Sequence, residues 1–461
     1  MYRVFALKLS LLVSLLHPHN SAFGQEPLRL NDYVGKESGL DITATYRIRY
    51  ELLDGRFRAN QTGSDQILVE RFLLSARYSL GNFYIGGELQ DSRQQLADSE
   101  TPIGTDDVNP FELLQAYVGW RQGNAIVAGD ALDISLGRIT IDAGSRRLAA
   151  RNGFRNTING FNGLHITWQG PKEDTLQAFY TLPVDRLPSS KNDLLGNDVV
   201  FDRENFNVRF WGLVLAIPNF INGLNSEFYI FGLQEDDRAD LQTRDRNLYT
   251  PGFRLFRDKA VGVIDYELET AIQFGKAAFS SAPTALALKQ LAHFYHAHLG
   301  YTFDNAWKSR IVFQYDFASG DNDPFDNDNG RFETLFGARR FEFGPTGIFG
   351  PLARSNINSP GIRFEINPSD RWRAFLGYRA AFLASSQDAL LTVGLVDPTG
   401  SAGSSIGHQI EASMRYALLP GNISLEIGAA YLDHGRFLLE APSASPDQNT
   451  FYAYTQITAN F

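Results

Sequence analysis

The sequence predicts an all-β protein, a transmembrane antiparallel β-barrel of about eighteen strands behind an N-terminal signal peptide, and three observations carry that reading. The first is strict alternation. Over residues 40–51, Leu40, Ile42, Ala44, Tyr46, Ile48 and Tyr50 alternate with Asp41, Thr43, Thr45, Arg47, Arg49 and Glu51. No helix of 3.6 residues per turn sorts residues in this way, whereas a strand with lipid on one side and water on the other does. The same alternation fills 451–461, from Phe451 to Phe461. The second is composition: 13% aromatic residues, 41 glycines and no cysteine among 461 residues. Aromatic-rich strands broken by turns fit these values, and a disulfide scaffold or a thiolate metal site is excluded. The third is the N-terminus. Arg3 and Lys8 flank an apolar segment running to Leu16, and Ala22 and Gly24 stand before Gln25. Residues 1–24 therefore read as a cleaved export signal, and 25–461 as one barrel domain placed in a Gram-negative outer membrane.

Mean hydropathy is −0.22 and no apolar run is long enough for a helical span. A barrel escapes that test because only every second residue faces lipid. A soluble propeller would also show many short strands, but this alternation exposes more Phe, Tyr, Leu and Ile than a sheet without a covering partner tolerates. The net charge of −10 speaks against a nucleic-acid partner.

After 40–51, strands are expected near 67–80, 82–92, 111–121, 126–138, 161–169, 174–182, 204–217, 224–235, 261–275, 290–304, 307–319, 359–367, 371–383, 406–418, 422–433 and 450–461. That makes seventeen, an odd number, and antiparallel neighbours cannot both run the same way. Alternating short periplasmic turns with long outer connectors places the missing strand at 247–257, with Phe253 and Leu255 outward and Arg254 inward. Pro251 weakens that strand. Tyr78, Phe83, Trp120, Trp168, Trp307 and Trp372 near strand ends suit interfacial girdles.

The polar phase supplies the lumen. It carries Arg47, Arg49, Arg71, Arg77, Arg209, Arg254, Arg310, Arg363, Arg373, Arg379 and Arg415, opposed by acids such as Glu51, Glu88, Asp265, Glu267, Glu269 and Asp316. Guanidinium forks match carboxylates, so such a wall offers a path for anionic solutes, unless the arginines only brace lumen acids. The connector around 139–160 holds Arg146, Arg147, Arg151 and Arg155 without a compensating Glu of its own. Folded inward it would narrow the pore and select anions. Left outside, it would meet lipopolysaccharide.

Asp321, Asp323, Asp326 and Asp328 form an acidic run that could ligate Ca²⁺ in an outer loop, although the spacing does not match an EF-hand. His296 and His298 share one lumen phase, with no third ligand fixed by sequence. No nucleophile elbow, phosphate loop or dinucleotide fingerprint occurs in a fitting context, so no catalytic residue is assigned. An enzyme or adhesin working through the long loops is the weaker class of reading.

The segments LLQAYVGW at 113–120, LGRITIDAGSRRLAARNGFRNTINGFNGLHI at 136–166, YELETAIQFGK at 266–276, HLGYTF at 298–303 and YDFASGDNDPFDNDNGRFETLFG at 315–337 resemble the alginate-export outer-membrane porins. The chain departs from the family pattern at Ile139 and at Asp142-Ala143. The resemblance implies a monomeric eighteen-stranded barrel whose electropositive constriction passes an acidic polysaccharide. It points to Arg146, Arg147, Arg151 and Arg155, and next to Arg47 and Arg77. The expected function is a passive channel for alginate-like polysaccharide or uronate oligomers, along a path that also includes Arg254 and Arg363. The alternative is a general or hydrophobic-solute porin of the same fold. Partners would be outer-membrane lipid, lipopolysaccharide and the saccharide.

Overall fold

The computed structural model describes residues 27–35, 38–238 and 241–461. The export signal expected over 1–24 lies outside them. Eighteen long strands follow in chain order: β1 (Leu40–Asp54), β2 (Ser64–Leu80), β3 (Phe83–Gln95), β4 (Asn109–Gly123), β5 (Ala131–Ile139), β6 (Phe161–Gln169), β7 (Thr175–Asp185), β8 (Val208–Ile221) and β9 (Leu224–Glu235). They continue with β10 (Asn247–Arg257), β11 (Ile264–Ala278), β12 (Ala287–Thr302), β13 (Arg310–Ala318), β14 (Ile357–Ser369), β15 (Trp372–Phe382), β16 (Ser405–Leu419), β17 (Ile423–His434) and β18 (Thr450–Asn460). Two further strands of two residues, Arg203–Glu204 and Asp328–Asn329, lie within connectors. Successive long strands pair antiparallel, and β1 pairs with both β2 and β18, so the sheet closes on itself and no long strand has a free edge. Ala44 and Phe461 complete the seam by exchanging backbone hydrogen bonds of 3.0 and 2.9 Å.

A strand does fill the interval that antiparallel direction requires: β10 occupies 247–257 and Arg254 points inward to Glu227 and Glu267. Pro251 lacks an amide hydrogen, and the β10–β11 register is interrupted between Tyr249 and Gly252. Most strand ends fall within three residues of expectation, and the two strands displaced further are displaced for local reasons. The strand expected from 126 starts at Ala131, because the Asp130 carboxylate accepts the amides of Ala125, Ile126 and Val127 and bends that stretch into a turn. The strand expected over 204–217 runs over 208–221, ending at a two-residue hairpin where Asn222 and Gly223 have φ of 46° and 83°. Positive φ at both positions is the turn geometry that matches strand twist.

Strand β11 shows how the barrel is dressed. Ile264, Tyr266, Leu268, Ile272 and Phe274 are exposed on one face, while Asp265, Glu267, Glu269 and Gln273 are buried on the other. A soluble protein inverts that distribution, and a band of exposed apolar side chains is what hydrocarbon wets. The aromatics expected at strand ends gather toward the short-turn end: Phe83 pairs across from Trp120, and the Trp307 and Trp372 rings meet edge to face at 6.5 Å.

The long connectors all emerge at the opposite end, and two of them turn back into the barrel. Connectors 140–160 and 319–356 meet there along their backbones: Phe336 N donates to Leu148 O, Ala150 N to Phe336 O and Ala338 N to Arg146 O. A Cβ on Gly337 would stand 1.7 Å from the Arg147 carbonyl oxygen, so glycine is required where the two chains touch. Phe336 then packs against Phe161 and Phe210 on the inner wall, at ring separations of 5.3 and 4.8 Å.

Placing a charge on the lipid face tests this orientation. Leu268→Arg should destabilise the barrel by about 2–4 kcal/mol if it sits near the bilayer midplane, measured by denaturant unfolding in lipid vesicles. Thr167→Arg, on the inner wall where it lines an open cavity, should not show that lipid-insertion penalty.

Candidate functional site

The inward connector 140–160 is held largely by its main chain. Arg47 donates to the carbonyls of Gly153 (2.6 Å) and Arg155 (2.9 Å) and to the Asn156 side chain. Arg49 donates to Phe154 O at 2.7 Å and stacks on the Phe154 ring, and Arg71 donates to Arg155 O. Asn156, fully buried, returns its amide to the carbonyls of Glu70, Arg93 and Asp107. The loop thus docks on β1 to β3 through its own carbonyls at Gly153, Phe154 and Arg155 and through the Asn156 side chain.

Three of its four arginines are compensated by acids from elsewhere in the chain and Arg146 by Asp142 of the connector itself, which corrects the impression of unbalanced charge given by the segment alone. Arg147 lies in a cage of Glu267, Glu269 and Glu342. Arg151 takes Glu88 in a two-pronged pair of 2.6 and 2.9 Å, and Arg146 pairs with Asp142. Arg155 pairs with Asp106 at 2.6 Å. Of the four, only Arg155 lines the largest cavity described below. Among the wall candidates, Arg254 bridges Glu227 and Glu267, Arg77 stacks on Tyr84 at 3.7 Å, and Arg363 donates to Phe341 O while lying over Phe375.

That cavity, about 840 Å³, lies between the inward connectors and the wall. Eight arginines line it (Arg155, Arg186, Arg203, Arg244, Arg246, Arg339, Arg340 and Arg354) against three carboxylates, Asp106, Asp185 and Glu235. Asp106 serves two guanidiniums at once, Arg155 and Arg186. Glu333 likewise serves Arg244 and Arg246. Arg340 is held by Glu411 and Arg354 by Glu342. Half-buried Arg339 has no carboxylate at ion-pair distance among the described residues, and its hydrogen bond runs to the Leu352 carbonyl. Burial pulls its guanidinium down to about 10, with Asp106 opposing and Arg155 reinforcing, so it stays charged at neutral pH. Burial raises Asp106, but Arg155 and Arg186 outweigh it and hold that carboxyl well below its usual range.

Apart from Arg155, the sequence reading missed the arginines of this chamber. They sit on connectors, where no strand period sorts inward from outward; the one local signal is the adjacent pair Arg339-Arg340. A second basic patch lies at the short-turn end. Lys308, Arg371, Arg373 and Arg415 line a cavity of about 470 Å³ with Asp370, and Arg373 faces Arg415 directly across β15 and β16.

The four aspartates of the acidic run do not gather into a three-ligand set. Asp323 and Asp326 accept backbone amides of Phe325 and Asp328, closing their own turns. Among the described residues the His and acid ligand atoms that do gather are those of Glu267, His296 and His298.

A family model for alginate export matches residues 38–451. The chain belongs to the alginate-export family. No protein among the curated sequences matches it. Solved porins of Pseudomonas aeruginosa share its architecture. OccK9 (OpdG) is 12% identical with a TM-score of 0.58, covering 92% of this chain and 98% of that one. OccK2 (OpdF) is 14% identical with a TM-score of 0.54, covering 91% and 98%. OpdK with vanillate is 11% identical with a TM-score of 0.55, covering 91% and 98%. Family and fold together make this member of the alginate-export family an outer-membrane channel of the porin class, crossing the membrane with its eighteen strands.

Removing the Arg147 guanidinium should free three buried carboxylates. Arg147→Met is expected to cost about 3–5 kcal/mol and to raise protease and hydrogen-exchange sensitivity over 140–160. A pH effect should appear in connector 186–207, which carries Arg186 and Arg203. Burial, with Glu112 adding to it, raises Asp202 to about 7 against the hydrogen bond from Leu187 N. Its folded value exceeds the ordinary value of about 3.9, so the stability it contributes is complete below about pH 4 and is lost as pH rises through 7. Hydrogen exchange in 186–207, corrected for intrinsic rate, should therefore increase from pH 5.5 to 8.5, and Asp202→Asn should flatten that rise.

Proposed function

We propose that this channel passes anionic saccharides, alginate-like acidic polysaccharide or uronate oligomers, by handing carboxylates between arginine stations. The observation that carries the proposal is the chamber itself: eight guanidiniums to three lining carboxylates, with Arg339 free of any acid partner among the described residues. An Arg fork suits a carboxylate in geometry and charge. Permeation also requires release, and the acids shared within the chamber compete for the same guanidiniums and keep each station weak. Arg155, from the sequence-derived set, stands at the chamber. Arg146, Arg147, Arg151, Arg47, Arg77, Arg254 and Arg363 would shape the local field from the wall and the inward loop. The basic patch at Arg373 and Arg415 would form the second station. The barrel would act as a monomer in outer-membrane lipid and lipopolysaccharide, without catalysis, and any Ca²⁺ at Asp321, Asp323, Asp326 and Asp328 would be peripheral to transport.

Bilayer recordings test this reading. Reversal potentials in a salt gradient should show anion preference, and uronate oligomers should block the current. Arg339→Ser should weaken that block about tenfold, equivalent to about 1.4 kcal/mol for one charge-assisted contact. Cation preference in the intact channel, or block unaffected by Arg339→Ser and Arg186→Ser together, would favour a general or hydrophobic-solute porin.

A further inference from the structure

We infer that the lumen wall of β11 to β13 holds a divalent transition-metal site, made by His296, His298 and Glu267. The two histidines stand two residues apart on β12 and so share the inner face. The β11–β12 register then sets Glu267 opposite His298 and Glu269 opposite His296. The ligand atoms of Glu267, His296 and His298 lie within 4.8 Å of one another. Tetrahedral ligands at bond lengths of about 2.0 Å stand about 3.3 Å apart, a difference that small side-chain rotations span.

The decisive feature is His296. It is buried, its Nδ1 meets Asp316 Oδ1 at 2.7 Å, and its Nε2 has no hydrogen-bond partner. Asp316 is itself fixed by Arg379 at 2.8 Å. With Nδ1 committed to Asp316 on β13, Nε2 is the nitrogen left for a metal. A carboxylate on one imidazole nitrogen with the other left bare is how a protein orients a metal-ligating histidine. His298 retains 17% side-chain exposure, which gives an ion a way in from the lumen.

Charge accounting agrees. The ion pairs that connect through this patch join five arginines (Arg147, Arg254, Arg310, Arg354, Arg379) to seven carboxylates (Glu227, Asp265, Glu267, Glu269, Asp316, Glu342, Glu365). The excess is two negative charges, and uncompensated charge in a buried network is costly. One divalent cation removes it. Two imidazolium protons would also remove it, so the experiment must separate metal from protons. Arg147 and Arg254 draw on Glu267, which leaves the two histidines as the stronger ligands.

Calorimetric titration of the folded, detergent-purified protein with Zn²⁺ at pH 7.5 is expected to show one ion per barrel. Binding should be lost in His296→Gln and in His298→Gln, and weakened about 10- to 100-fold in Asp316→Asn. His293→Gln, altering a ring stacked on Phe317, should bind as the parent does. Heat-modifiable gel migration verifies that each variant is a closed barrel. The inference fails if the parent takes up no Zn²⁺, if the His296/His298 double variant binds it equally well, or if imidazole NMR shows both rings protonated at pH 7.5.

Discussion

Charge compensation across distant segments is the constraint on which the lumen depends. A barrel of this size turns its ionised residues inward, where many are buried, and a buried charge is tolerable only when a partner and hydrogen bonds meet it. Here the partners come from far away in sequence. Arg147 of one connector answers Glu267 and Glu269 of β11 and Glu342 of another connector, and Glu342 in turn holds Arg354. Each such pair ties a loop to the wall or to a second loop. The lumen is therefore organised by several such ion-pair networks, and the chamber is the part of it in which positive groups are left in excess.

The division of labour among arginines follows from this. Those on the wall at Arg47, Arg49 and Arg71 are occupied with carbonyl oxygens of the inward loop, and Arg147 and Arg151 with carboxylates. A guanidinium so engaged supplies field rather than a vacant fork. Arg339, bonded to one carbonyl, keeps most of its five donors for a visitor.

The fold was legible because lipid on one side and water on the other impose a period of two, and because antiparallel direction imposes a parity rule that recovered β10. Those same rules stop at strand ends. Arg155 could be singled out from a basic segment, but Arg186, Arg203, Arg244 and Arg246 are scattered through connectors whose inward or outward course depends on tertiary pairing. The HxH at His296 and His298 was visible in sequence, yet the third ligand is a register fact: Glu267 is 29 positions upstream of His296 and becomes a neighbour only through the β11–β12 ladder. Asp130 and Asn222 moved strand boundaries by purely local hydrogen bonding and turn geometry, which alternation alone does not encode.

The way Arg47, Arg49 and Arg71 grasp residues 153–155 by carbonyl oxygens has an evolutionary corollary. A peptide oxygen is the same whatever amino acid bears it, so Gly153, Phe154 and Arg155 can be exchanged without surrendering these three anchors. Side chains beside the chamber can therefore vary while the scaffold that places them stays put.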